Sequence, residues 1–272
     1  MKKNYISLAK KSADIQINEL KKVKKIFSNS FVKAIDLILN CRGKVIFAGI
    51  GKSGLIARKI SATFSSVGIP SFFCDPAQAL HGDMGQIEKK DLLIIFSYSG
   101  NTSELTNMLK YANRYRIKII GVASKPDSVL LKASDVKLIL PSVKESDVTG
   151  MVPTSSTSIT LLLGDCLATT VMNQRKFSKE KFKVFHPGGN IGSSLLLAKD
   201  IMVVGNKMPT INYNKNFKEA LKVMNMKKLG IVVITKNKFI KGLVTDGDLR
   251  RELKNYNANK NLNKFMTKTP FV

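Results

Sequence analysis

Cysteine is scarce in this 272-residue chain. Cys41, Cys74 and Cys166 are far apart, odd in number and form no C-x-x-C pair. That usage excludes a disulfide framework, and a reduced, cytoplasmic setting is the expectation. Long apolar runs are missing as well. Nothing approaches the roughly 18 consecutive apolar residues of a membrane-spanning helix, and residues 1–11 lack the apolar core of a signal peptide. Neither a membrane partner nor export is expected. Acidic side chains number 19 against 45 basic ones, a formal charge of +26. Alone, that excess would indicate nucleic acid. Only seven of the basic residues are arginine, however, and the lysines are scattered rather than clustered on one helix. The charge is therefore read as a lysine bias with no nucleic-acid partner, although a basic surface still draws small anions toward a cleft.

What is present is an alternating pattern long enough for about two domains. Residues 5–41 have helical spacing through Ile15, Ile17, Leu20, Val23, Ile26 and Phe27. Strand-like runs follow at 44–49, 70–74, 91–96, 117–123 and 136–140, with helical stretches such as 53–66 and 102–115 between them. That order predicts an α/β fold, a parallel sheet with helices on both faces as an αβα sandwich. A helix over 154–173 is opened by the turn Pro153-Thr154-Ser155-Ser156-Thr157, and residues 185–190 read as a turn. The pattern changes after Asp200. Residues 201–272 read as a small α/β unit with a helix near 217–228, strands at 230–235 and 239–244, and a helix opened by Asp246-Gly247-Asp248. The expected domains are 1–199 and 200–264. Residues 265–272, similar to the segments around Asp200 and Met208, look like the start of a second copy cut short.

Two glycine-punctuated loops follow apolar runs. In the first, Gly49-Ile50-Gly51-Lys52-Ser53-Gly54, the glycines fit a dinucleotide fingerprint, with Asp75 where a ribose-binding acid would sit. Lys52 is foreign to a pyrophosphate turn, and the reading leaves the second loop unexplained. It is not a phosphate-binding Walker loop either, because Ile46 stands where its first glycine belongs. The second loop runs Ser97-Tyr98-Ser99-Gly100-Asn101-Thr102-Ser103-Glu104. Its hydroxyls and following helix amides suit one phosphate monoester, gripped by Ser97, Ser99 and Thr102. Both histidines, His81 and His186, stand beside glycine turns, where function concentrates. Taken singly, Glu104 reads as helix-dipole compensation and Glu145 as a solvated loop acid.

Gly-x-Gly-Lys-Ser-Gly, Ser-x-Ser-Gly-x-x-Ser-Glu, His-Gly-Asp, Pro-Thr-Ser-Ser-Thr and His-Pro-Gly-Gly occur here in one order and spacing. The set resembles the arabinose-5-phosphate isomerases, whose sugar isomerase (SIS) domain precedes paired cystathionine-β-synthase (CBS) domains. The resemblance implies interconversion of ribulose 5-phosphate and arabinose 5-phosphate, on the route to the eight-carbon acid Kdo of outer-membrane polysaccharide or capsule. It places catalysis on Lys52, Glu104, Glu145 and His186. It places substrate contacts at Gly51, Ser53, His81, Ser97, Ser99, Gly100, Asn101, Thr102, Ser103, Thr154 and Ser155. The residue that moves the C–H proton is left open, with Glu104 or His186 preferred and Glu145 expected from a neighbouring subunit. A homotetramer with shared sites is implied, and no cofactor is required. Zinc enters only as an inhibitor, with Asp75 and His81 as candidate ligands, although Asp75 replaces a histidine common in the family and Gln78 a glutamate. Val244-Thr245-Asp246-Gly247-Asp248 is similar to a CBS nucleotide-contact segment, which makes Thr245 and Asp248 candidate contacts to a nucleotide or pathway product. The other readings are a non-catalytic sugar-phosphate sensor and an isomerase of another sugar phosphate. The stretch ahead of the first strand is short for a sensor's helix-turn-helix domain.

Overall fold

The computed structural model describes residues 4–186, 197–255 and 257–270. The chain divides into two compact units, Met1–Leu195 and Leu196–Val272.

The first unit is built on five parallel strands, β1 (Val45–Gly49), β2 (Ser71–Phe73), β3 (Leu92–Phe96), β4 (Lys118–Ala123) and β5 (Val136–Ile139), in the order β2-β1-β3-β4-β5. Every residue of β1 and β3 is buried, as strands covered on both faces require. Alternate residues face opposite layers. Val45, Phe47, Ile94 and Phe96 join a core with α2 (Asn29–Leu39), α3 (Gly51–Ser66) and α7 (Ser155–Gln174). Ile46, Ala48, Leu93 and Ile95 face α4 (Pro76–Ala79), α5 (Leu105–Arg114) and α6 (Val129–Lys132). On α5 the buried set Leu105, Met108, Leu109 and Ala112 keeps the stripe of an amphipathic helix.

Helices α3 and α7 cross closely. A Cβ on Gly164 would stand 2.2 Å from Ile60 Cδ1, and Lys59 Nζ bonds Asp165 Oδ1 at 2.6 Å beside that contact. The helix expected over 5–41 is in fact interrupted: α1 (Tyr5–Leu20) passes into a 3-10 segment, Lys21–Ile26, before α2. Spacing by three keeps Val23 and Ile26 on one face, and both are buried. The turn expected at 185–190 is also corrected at its start. Phe185 ends a helix, α8 (Lys179–Phe185), capped by the Ser178 hydroxyl. Pro187 to Asn190 lie outside the described residues.

The second unit begins with the single turn α9 (Ala198–Ile201). Strand β6 (Thr210–Asn212) pairs parallel with β7 (Ile231–Lys236), and β7 pairs antiparallel with β8 (Phe239–Thr245). Helices α10 (Phe217–Lys227) and α11 (Asp246–Glu252) enclose a core containing Phe217, Met224, Val232, Ile234 and Leu249. The segment that resembles a repeat start folds back on this unit, where Leu243 and Thr267 exchange two backbone hydrogen bonds.

Candidate active site

The strand order dictates where a ligand fits. From β1 the chain turns outward to β2, and from β3 it turns the other way to β4, so the loops leaving these neighbours part and open a crevice at their carboxyl ends. A cleft of about 440 Å³ lies there. Lys52, Ser53 and Ile56 from the start of α3 line one side, and Ser156, Thr157 and Thr160 from the start of α7 line another. Ser97, Tyr98, Ser99 and Thr102 from the loop after β3 also line it, together with Val143, Glu145, Met151 and Pro153.

The loop after β3 is held by its own hydroxyls. Ser97 is buried, its Oγ 2.8 Å from Thr102 Oγ1 and accepting the Gly100 amide at 3.0 Å. Gly100 has φ +69°, and a Cβ there would lie 2.2 Å from Ser128 Oγ, so the turn tolerates no side chain. At α3 no side chain caps Ile50, which leaves the first amides beside Lys52 and Ser53 for an anion. Hydroxyls, helix amides and one ammonium thus border the same space.

Glu145 supplies the carboxylate. Its Oε2 accepts from Thr154 N at 2.7 Å, Thr154 Oγ1 at 2.9 Å and Ser156 N at 3.3 Å, so it caps α7 from outside the helix. Burial works against its charge, but the Ser156 and Thr154 hydroxyls and both backbone amides outweigh it and hold the carboxyl below the usual glutamate value. It is therefore a carboxylate at neutral pH, fit to accept a proton. Tyr98 ties the same loop down, accepting from Val143 N at 3.0 Å and donating to Pro141 O at 3.3 Å. Burial pushes its phenol up, so it stays neutral. Beyond Glu145, Asp147 folds residues 147–152 over itself, accepting from Thr149 N at 2.9 Å and Val152 N at 3.1 Å.

The structure brings Lys52, Ser53, Ser97, Ser99, Thr102 and Glu145 together in one chain. Glu145, expected from a neighbouring subunit, lines this chain's own cleft. Glu104, by contrast, is exposed and lies outside the cleft; its Oε2 accepts from Ser103 Oγ at 2.8 Å, which accounts for both side chains. Its own amide and then that hydroxyl lower its pKa.

His186 is farther away. It follows α8, whose Phe185 and the preceding Phe177 pack against Gly68 beyond the far end of α3, a helix about 24 Å long at 1.5 Å per residue. Its ring stacks on Phe182 with centroids 3.8 Å apart, and its Nδ1–H donates to the Phe182 carbonyl at 2.9 Å. His81 is exposed and outside the cleft. Asn101 Oδ1 instead accepts the Val129 amide at 2.9 Å to cap α6. Gly51 meets nothing within 4 Å of its Cβ position, Thr154 acts through Glu145, and Ser155 is fully buried.

Of the candidate zinc ligands, His81 is exposed and Asp75 is engaged locally. The Asp75 carboxylate caps α4 through Ala77 N at 2.9 Å, and no cluster of three or more His, Cys, Asp or Glu exists among the described residues. Thr245 and Asp248 are likewise occupied: Thr245 Oγ1 donates to Asp248 Oδ2 at 2.8 Å, the Asp248 amide returns to Thr245 Oγ1 at 3.3 Å, and Arg251 bonds Asp248. The cleft residues unforeseen in sequence include Tyr98, Ile56, Val143, Ser156, Thr157 and Thr160. Ser156 and Thr160 carry a readable signal, since their helical spacing puts them on one face of α7 with Thr157 beside them.

A doubly covered parallel sheet whose switch-point cleft joins hydroxyls, a lysine and a carboxylate is the architecture of sugar isomerase domains. A model of the SIS domain matches residues 38–170, and one of the CBS domain matches residues 198–255. The chain is 39% identical over 273 residues to the arabinose 5-phosphate isomerase KdsD of Francisella tularensis, covering 98% of this chain and 84% of that one. It is 41% identical over 226 residues to KdsD of Escherichia coli K12, covering 82% and 69%. A solved E. coli CFT073 protein in complex with arabinose 5-phosphate superposes with a TM-score of 0.66 at 33% identity, covering 69% of this chain and all of that one. This chain belongs to the arabinose 5-phosphate isomerase family. No helix among the described residues is long and apolar enough to cross a membrane.

Proposed function

We propose that the chain interconverts D-ribulose 5-phosphate and D-arabinose 5-phosphate through an enediolate, supplying Kdo synthesis. The observation that carries this reading is the placing of Lys52 and Glu145 in one cleft with the hydroxyls of Ser97, Ser99 and Thr102. The hydroxyls and the amides at the start of α3 hold the phosphate. Glu145, already a carboxylate, takes the proton from C1 of the ketose or C2 of the aldose and returns it to the other carbon. Lys52 steadies the negative oxygen formed between the two transfers. The exchange is internally redox-neutral, so its chemistry asks for no electron carrier. Glu104 and His186 act from neighbouring subunits of a homotetramer. The exposed Glu104 and the half-buried His186 both lie away from this chain's own cleft, which supports that part of the reading.

The test is conversion of ribulose 5-phosphate by the purified full chain, with a six-carbon ketose phosphate as control. Turnover specific to the pentulose is expected, and Glu145→Gln is expected to lower kcat by about 100-fold or more, the usual weight of a general base. Absence of wild-type turnover would sink the reading. Mixing inactive Lys52→Ala and His186→Ala proteins should restore activity in mixed oligomers. Failure to recover any would remove the shared site.

A further inference from the structure

Helix α1 buries no residue of its own, yet it reaches the Glu145 loop through a chain of polar groups. Ser12 Oγ donates to Ser146 Oγ at 2.9 Å, and Gln16 Nε2 donates to the same atom at 3.3 Å. Ser146 Oγ donates to Thr154 Oγ1 at 3.2 Å, and Thr154 Oγ1 donates to Glu145 Oε2 at 2.9 Å. Thr154 Oγ1 also accepts the Ser146 amide at 2.9 Å. Ser158 Oγ donates to Gln16 Oε1 at 3.3 Å, which turns the amide nitrogen toward Ser146.

A hydroxyl has one proton to give and two lone pairs to receive with. Ser146 Oγ receives two donors, from Ser12 and Gln16, and gives its proton to Thr154. Thr154 Oγ1 receives two donors, both from Ser146, and gives its proton to Glu145. No hydroxyl in the series can rotate without losing a bond, so each proton points toward the carboxylate. Bonds in such a series polarise one another.

We propose that Gln16 and Ser12 are positioning residues for the isomerisation, acting through Ser146 and Thr154 to fix the orientation and charge of Glu145. The inference rests on Glu145 moving the proton. The titratable groups about that carboxylate are Lys52 and Tyr98 on the cleft, Lys144 and Asp147 beside it in sequence, Glu19 in the last turn of α1, and Lys22 just after it, where Lys22 Nζ bonds Ser142 O at 3.3 Å. None of them joins the relay, so a change confined to Gln16 leaves each of them in place.

The experiment compares Gln16→Met, which keeps length and helix propensity but donates nothing, with Ser146→Ala and Ser146→Thr in the full chain. Gln16→Met and Ser146→Ala are expected to lower kcat roughly tenfold, as losses of outer partners do, with KM nearly unchanged. The acid limb of kcat/KM should move to higher pH, because a carboxylate that loses donors holds its proton more tightly. Ser146→Thr restores the hydroxyl and should restore both. Folded variants with wild-type kcat and an unmoved acid limb overturn the proposal, as does a Ser146→Thr chain as impaired as Ser146→Ala. If the wild-type chain proves inactive on sugar phosphates, the functional reading fails separately. The relay is then judged by carbon-detected NMR titration of Glu145: an upward move in Gln16→Met sustains it, and an unchanged midpoint ends it.

Discussion

Glu145 and Asp147 are two carboxylates two residues apart, and their surroundings give them different work. Glu145 is partly withdrawn from water and lines the cleft, while Asp147 serves its own loop. The Thr149 hydroxyl is the chief cause holding the Asp147 carboxyl at about 2, against burial that raises it and with help from the amides of Thr149, Val152 and Met151. A depressed carboxyl adds stability that is complete above its ordinary value and lost as pH falls through the depressed one. The 147–152 loop should therefore keep its folded amide shifts down to the ordinary aspartate value of 3.8 and lose them as pH approaches about 2. Amide NMR checks this, and a midpoint at 3.8 would contradict it. In the sequence Glu145 stands as a plain loop acid, as its neighbour Asp147 would. What separates them is the arrival of Thr154 and Ser156 nine and eleven positions after Glu145, which no local pattern announces. Gln16 was less legible still, because its partner Ser146 lies 130 residues away.

The elements were far easier to read than the contacts between them. Buried parallel strands are short apolar runs, and β1, β3, β4 and β5 end within a residue or so of their expected limits because glycine, serine or a charged residue bounds each run. Helix α8, Lys-Glu-Lys-Phe-Lys-Val-Phe, was missed because four charges in seven residues hide the two aromatics that dock it. The first glycine loop resembled a cofactor fingerprint because both need a helix pressed onto a strand end. A Cβ on Gly54 would lie 2.6 Å from the Gly49 carbonyl oxygen, so this glycine serves helix–strand contact whatever the ligand. Gly54→Ala is expected to cost about 1–3 kcal/mol, the usual penalty of overpacking, seen as a lower urea midpoint. Gly51→Ala meets no neighbour and bears only the strain of φ +59°, so the smaller loss should fall there. Equal losses would show that the close approach carries no weight.

For the molecule as a whole, the excess of lysine is diffuse, and the shape of the cleft follows from how the SIS unit holds its parts. Gly164 meets Ile60 eight residues along α7 from Ser156 and eight along α3 from Lys52, each span about 12 Å at the helical rise. Those two helix starts are facing edges of the cleft. The crossing therefore works as the pivot of a caliper, setting the gap between jaws it never touches. Gly164→Ala should open that gap: the ratio of kcat/KM for a six-carbon over a five-carbon ketose phosphate should rise several-fold, and adding Ile60→Val should return it by making room at the pivot. An unchanged ratio would mean that the jaws are set locally. A raised ratio would tie the length of sugar accepted to one missing methyl group, and substrate range would then drift by substitution deep in the core while every residue lining the cleft stays the same.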